Sequence, residues 1–232
     1  MTMDLATDRR TMLTAGAALA AFAASAARAE APTSPAALPL SPQPLPFDPA
    51  RVAWLSEKLI ISHHDNNYAG AVKRLGAIKT EFAKLDVAAA PGFEVNGLKR
   101  EELIAWNSMI LHELYFAGLT QRTAPSPALA QAIERDFGSQ ARWASEFAAM
   151  GKALGGGSGW VLLTYSHRDA KLTNQWAADH TMTLAGATPI LALDMYEHAY
   201  ALDFGAKAGA YVDGFMKSAS WANASTTFER VA

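Results

Sequence analysis

The feature that most constrains this chain is a change of apolar period across "GGGSG", Gly155 to Gly159. Before it, apolar residues recur at helical spacing. After it, "WVLLTYS" (Trp160 to Ser166) is a short β-type run, followed by the polar turn "HRDA" and a second strand-like run. A third such run, "ATPILALD", leads into Asp194. The last forty residues are helical again. A chain whose pattern moves from period 3.6 to period 2 partway along builds helices first and a sheet later. The expected class is α+β: an N-terminal helical hairpin domain, then a C-terminal domain with a three-stranded antiparallel sheet and helices.

The helical part has its own punctuation. In "VAWLSEKLIISHHDNNYAGAVKRLGAIKTEFAKLD", residues Leu55, Leu59, Ala71, Val72, Leu75 and Ile78 mark one face. "AAAPGFEVNG" interrupts the pattern, and a second helix is expected from near Lys99. "TAPSP" is the break that divides a hairpin domain at 51–123 from an α+β domain at 124–232. Within the latter, Gly138-Ser139 separates two helices before the glycine run.

The N-terminus reads differently. Arg9-Arg10, an Ala-rich apolar stretch and a small-x-small site at Ala27-Arg28-Ala29 describe a Tat-type signal peptide over residues 1–29, cut before Glu30. Residues 30–50 are a Pro-rich lead-in. The expectation is a periplasmic protein, tethered to the membrane if the signal stays uncut. The net charge of −2 gives no indication of nucleic acid or of an anionic membrane surface as partner. Loss of residues 1–29 removes three Arg and two Asp and leaves −3.

With no cysteine, disulfides, thiolate catalysis, zinc–cysteine sites and iron–sulfur clusters are excluded. Any metal must be held by His, Asp, Glu or water. The six histidines are His63, His64, His112, His167, His180 and His198. His167 falls in the polar turn and reads as solvated surface. His63 and His64 share a helix, so one of them faces the core. His112 lies among Leu111, Leu114, Tyr115 and Phe116, where a histidine is commonly just a satisfied core residue. Asp194 and His198 are four apart, a spacing that puts both on one face of a helix. Three separated segments offering inward N or O ligands suit a redox ion such as iron or manganese, with zinc still open on ligand type alone. A di-iron bundle would need paired Glu-x-x-His motifs, which are missing. The residues by themselves lead to a mononuclear site without a named reaction.

At this point the chain resembles the iron/manganese superoxide dismutase family, over nearly all of residues 44–230. "LPF" (Leu45 to Phe47), "SHHDNNYAGAV", "LHELYFAGL", "GGGSGWVLL" and "PILALDMYEHAYALDF" match its motifs in order and spacing. The resemblance implies disproportionation of superoxide to oxygen and hydrogen peroxide. It implies one iron or manganese ion per subunit on His63, His112, Asp194 and His198. It makes Trp160 a wall of the pocket and His180, reached through "KLTNQWAADH", a donor to metal-bound solvent. Ser108, the other family position for that donor, is too short, which leans the metal toward iron. The resemblance further implies a homodimer in which Glu197 reaches the other subunit's ligand histidine.

The departures from the family pattern matter too. Ala71 stands where a channel tyrosine is usual, Asn67 where a histidine is usual, and Ala201 where that histidine's tyrosine partner is usual. Ala208, with Lys207 beside it, replaces an arginine at the channel mouth, and Tyr196 replaces a tryptophan. Tyr68 is a partial substitute for the channel tyrosine, but it lies about 300° around an ideal helix from position 71. These changes imply slower turnover, and in the extreme a dismutase-like metal-binding protein that no longer turns over.

Overall fold

A computed structural model describes residues 40–232. The signal at 1–29 and the first part of the lead-in lie outside the described residues. From Leu40 the chain runs without helix or strand to a 3-10 turn at Pro49–Arg51, capped by Asp48, which accepts from Ala50 N–H at 3.1 Å. The first helical stretch is not continuous. Helix α1 (Glu57–Ser62) passes into a π-helical turn, His63–Tyr68, and then into α2 (Ala69–Lys84). A π turn widens the helix by one residue and is common at functional sites. It also invalidates the 100° per residue used to place Tyr68. That side chain is buried, its hydroxyl accepting from Gln43 N–H and donating to Glu113 Oε1, both at 2.9 Å.

Helix α3 runs from Gly92 to Gly118, so it starts seven residues before Lys99. Pro91, extended at ψ 138°, occupies the N-cap, and Glu94 complements the positive end of the helix dipole. The Gly92 and Gly97 that suggested a break each cost about 1 kcal/mol relative to alanine. Packing of α3 along α2 offsets that. Ser126 caps α4 (Pro127–Phe137), and Gly138, left-handed at φ 83°, ends it. Ser139 then caps α5 (Gln140–Ala153) through Arg142 N–H at 3.0 Å.

The sheet has the order β2-β1-β3, all antiparallel, with β1 Trp160–Ser166, β2 Lys171–Ala177 and β3 Ala187–Asp194. Every residue of the central strand β1 is buried, because α5 packs on β1 and β2 while α3 and helix α8 (Ala222–Val231) pack on β3. That double cover explains the continuous apolar run, where a one-sided sheet would alternate. Pro189 sits on the edge strand β3 at a register shift between Leu163 and Thr164, where the missing N–H is tolerated. Beyond β3 come a 3-10 turn (Glu197–Ala199), a short α6 (Ala201–Phe204) and α7 (Ala208–Ser218). One apolar core unites both halves: Leu59, Leu111 and Tyr115 join Trp160, Leu193 and Phe215. Among the described residues, no helix is long and apolar enough to cross a membrane.

Candidate metal centre

The register pairs Trp160 with Asp194, so the first residue of β1 and the last of β3 lie side by side. On the other side of β1, Gly159 permits a close approach to the end of β2. Its φ is +130°, and a Cβ there would lie 2.3 Å from the Ala177 carbonyl oxygen. Its own carbonyl accepts from Met195 N–H at 2.9 Å, so the chain leaves β3 in a defined direction.

Asp194 and His198 do not share a helix face, contrary to the spacing argument. Asp194 ends a strand and His198 lies in the 3-10 turn. They meet because Asp194 Oδ1 accepts from Tyr196 N–H at 2.8 Å and folds the intervening chain back over the strand end. His198 Nε2 thereby reaches 3.3 Å from Asp194 Oδ2. His63, at the start of the π turn, places Nε2 at 3.2 Å from the same oxygen, and His112 on α3 places its Nε2 at 3.5 Å. Four donor atoms, one from each residue, all lie within 4.8 Å of one another.

A metal fits this arrangement on two grounds. Nε2 of His63 and of His112 are buried and, despite their closeness to Asp194, make no directed hydrogen bond. Buried polar atoms without partners are costly, and lone pairs aimed at a common point are what a cation satisfies. The tautomer of His112 also suits coordination. Its Nδ1 donates to the Ser108 carbonyl at 2.6 Å, which leaves Nε2 unprotonated. Burial pushes the His63 imidazole below its ordinary range and that of His112 down to about 3, so both rings are neutral. Burial alone would raise the Asp194 carboxyl, but the adjacent His198 and His63 rings outweigh it and hold the group well below the carboxylate range. Three imidazole nitrogens and one carboxylate oxygen match iron or manganese. The backbone behind the carboxylate is fixed as well: the buried Tyr211 hydroxyl donates to the Asp194 carbonyl at 2.8 Å, and the Tyr115 hydroxyl lies 3.1 Å from that of Tyr211.

The residues expected around the ligands fall into place unevenly. Trp160 is fully buried, edge-on to His112 with ring centroids 5.2 Å apart. Its indole N–H donates to His180 Nδ1 at 2.9 Å. His180 lies 6.0 Å from the His112 ring and stacks on Tyr196 at 4.9 Å, and Tyr196 stacks on His198 at 5.4 Å. Ser108 Oγ turns back to His112 Nδ1 at 3.4 Å. His64 takes no part: its Nε2 meets the Gln43 carbonyl and its Nδ1 meets Asp65, each at 2.8 Å. His167 is exposed and meets Thr188 Oγ1. Glu197 is exposed beside His198. The sequence did not single out Tyr211, or Asn107, whose amide donates to the His180 carbonyl at 2.6 Å. A buried tyrosine and a lone asparagine in a helix carry no local signal of such roles.

Fold and site together define an α+β metalloprotein with a mononuclear His₃Asp centre shared between its helical and sheet-bearing parts. Residues 125–227 match the family described as iron/manganese superoxide dismutases, C-terminal domain. The chain is 66% identical over 181 residues to "Superoxide dismutase [Fe]" of Cupriavidus metallidurans, covering 78% of this chain and 92% of that protein. It is 32% identical to "Superoxide dismutase [Mn] 2" of Haloferax volcanii, covering 76% and 88%. It is 31% identical to "Superoxide dismutase [Fe]" of Aquifex pyrophilus, covering 78% and 88%. The chain belongs to the iron/manganese superoxide dismutase family.

Proposed function

We propose that this chain converts two superoxide ions and two protons into oxygen and hydrogen peroxide at one iron or manganese ion held by His63, His112, Asp194 and His198. The observation that carries the reading is the convergence of three imidazole Nε2 atoms on a single Asp194 oxygen at 3.2 to 3.5 Å. Iron is favoured, in line with the 66% identical relative bearing iron in its name. When bound, the metal supplies one-electron chemistry between its +3 and +2 states. The protein's residues do the rest. Because the donor set contains only one carboxylate, a +2 or +3 ion bound there would leave the centre net positive, which would draw in a small anion. Burial of His63, His112 and Asp194 keeps bulk water from competing for the donors. Trp160 closes one wall.

His180 brings a ring N–H beside the ligand His112. Indole N–H can only donate, so His180 Nδ1 is an acceptor and Nε2 carries the hydrogen. Burial keeps this ring below its ordinary range and therefore neutral. Nε2–H is then available as a donor, and with a metal bound it would offer a hydrogen bond to a small oxygen ligand there.

The functional unit is a homodimer. His198 turns Nε2 to Asp194, which leaves Nδ1 for the Glu197 carboxylate of a second subunit. The protein is exported by the Tat route to the periplasm and cut before Glu30. N-terminal sequencing of the periplasmic fraction checks the cut, and a protein retaining residues 1–29 at the membrane overturns it. Turnover is slower than in relatives with a channel tyrosine, because Ala71, Asn67 and Ala201 offer no proton-bearing side chains. Metal analysis with pulse radiolysis tests the main reading. One iron or manganese per chain and superoxide loss proportional to bound metal are expected. Asp194→Asn should lose both, since outer partners alone are worth about 10- to 100-fold. Full metal with no superoxide loss favours the reading in which the Ala71, Asn67 and Ala201 changes have ended turnover.

A further inference from the structure

We propose that Asn107 is a positioning residue that fixes the His180 imidazole by gripping its backbone, an inference that rests on the role given to His180 above. Asn107 lies on α3, and its Nδ2 donates to the His180 carbonyl at 2.6 Å across 73 residues of sequence. A carbonyl oxygen can only accept, so the amide nitrogen must face it.

His180 needs such an anchor. It sits beyond the end of β2, in a segment without regular structure between Ala177 and β3. A ring on such a segment is not placed by a hydrogen-bonded ladder. Three contacts besides Asn107 restrain it. Asp179 Oδ1 accepts from Thr181 N–H at 2.7 Å and Thr181 Oγ at 2.6 Å, which tightens the turn around position 180. Tyr196 stacks on the ring at 4.9 Å, with planes 14° apart. Trp160 binds Nδ1. The turn shapes the segment locally and the stack lets the ring slide in its plane. The indole bond selects a tautomer but lies at one edge of the ring. Tyr196 also meets the His180 backbone, but it stands in the chain between β3 and the 3-10 turn. Among the described residues, Asn107 is the helix residue whose side chain holds the His180 carbonyl.

The element chosen is significant. Asn107 shares α3 with His112, five residues further on. The helix that holds one metal ligand thereby also sets the height of the proton donor. Precise sites depend on supporting contacts of this kind from rigid elements.

The test compares Asn107→Leu, His180→Ala and the double variant in full-length protein. In the metal-free state, NMR follows exchange of the Trp160 indole proton with solvent. His180→Ala should remove its acceptor and speed exchange most. Asn107→Leu should speed it by about 2- to 10-fold, the effect of one lost hydrogen bond. In the His180→Ala background Asn107→Leu should add nothing, because it acts through His180. In the iron-loaded state, Asn107→Leu should keep the metal content and shift the midpoint potential in the same direction as His180→Ala, by less. Unchanged indole exchange in Asn107→Leu overturns the proposal, as does an effect of equal size with and without His180. If His180→Ala leaves the potential and superoxide turnover unchanged while indole exchange behaves as expected, the clamp stands and the role assigned to His180 falls.

Discussion

Asp203 holds Ser56 with both carboxylate oxygens: Oδ2 accepts from the Ser56 backbone N–H at 2.6 Å and Oδ1 from its hydroxyl at 2.7 Å. Ser56 in turn caps α1, its Oγ accepting from Leu59 N–H at 3.1 Å. One carboxylate thus joins the start of the helix leading to His63 with α6, the short helix that follows the His198 turn. The link spans 147 residues, and its expected consequence is alignment of His63 with His198.

Asp203→Ala removes that link. Because the pair is exposed, the expected cost is about 1 kcal/mol, seen as a melting temperature lower by roughly 2–4 °C. The more telling effect is on the site, with metal dissociating faster from the variant than from the parent. Calorimetry and a chelator-competition assay measure the two, and an unchanged metal off-rate contradicts the alignment role.

Gly159→Ala brings a Cβ against the Ala177 carbonyl in a backbone conformation that alanine rarely adopts. The expected loss is about 2–4 kcal/mol, read by urea denaturation of the metal-free protein. Gly156, also at positive φ but with nothing within 4 Å of its added Cβ, should tolerate alanine better. Equal losses at the two positions would contradict the close-approach argument.

The pH dependence of the metal-free fold follows from the buried rings. His112 is held at about 3 by burial, against 6.5 in an unfolded chain, and His63 is shifted the same way. Between these values the unfolded chain binds protons that the folded chain refuses, so stability falls as pH drops through that window. Asp194, held low by its histidine neighbours, adds a further loss only below the ordinary carboxylate pKa of 3.8. Melting temperatures of metal-free protein should be flat above pH 7 and decline from about pH 6.5. A curve flat down to pH 4 would show that the rings are not neutral and buried.

Glu197→Ala should shift the protein from dimer toward monomer in sedimentation velocity and lower metal affinity about 10-fold or more. A dimer of unchanged affinity in the variant rules out Glu197 as the contact that completes His198.

Local chemistry made much of the fold legible. The strand Trp160–Ser166 is visible as a β-type run, and the break at "TAPSP" and the Gly138-Ser139 junction fall at helix ends, where the structure adds Ser126 and Ser139 as caps. The start of α3 was not legible: Gly92 and Gly97 weaken a helix locally, and only packing along α2 outweighs them. The four ligands were identifiable through ordered motifs, yet the spacing argument for Asp194 and His198 assumed a helix where a strand end and a tight turn stand.

The amino-acid sequence by itself determined the donor types, the exclusion of sulfur chemistry, the order of helices and strands, and the family, because these follow from residue identity and short-range pattern. Tertiary structure alone decided which nitrogen of each histidine faces Asp194, which tautomer His180 adopts, and what holds His180 in place. Those choices depend on hydrogen bonds such as Asn107 to His180 and Trp160 to His180, between atoms 73 and 20 residues apart. Interactions over such separations exist only once the chain has folded, and leave no period or spacing behind them.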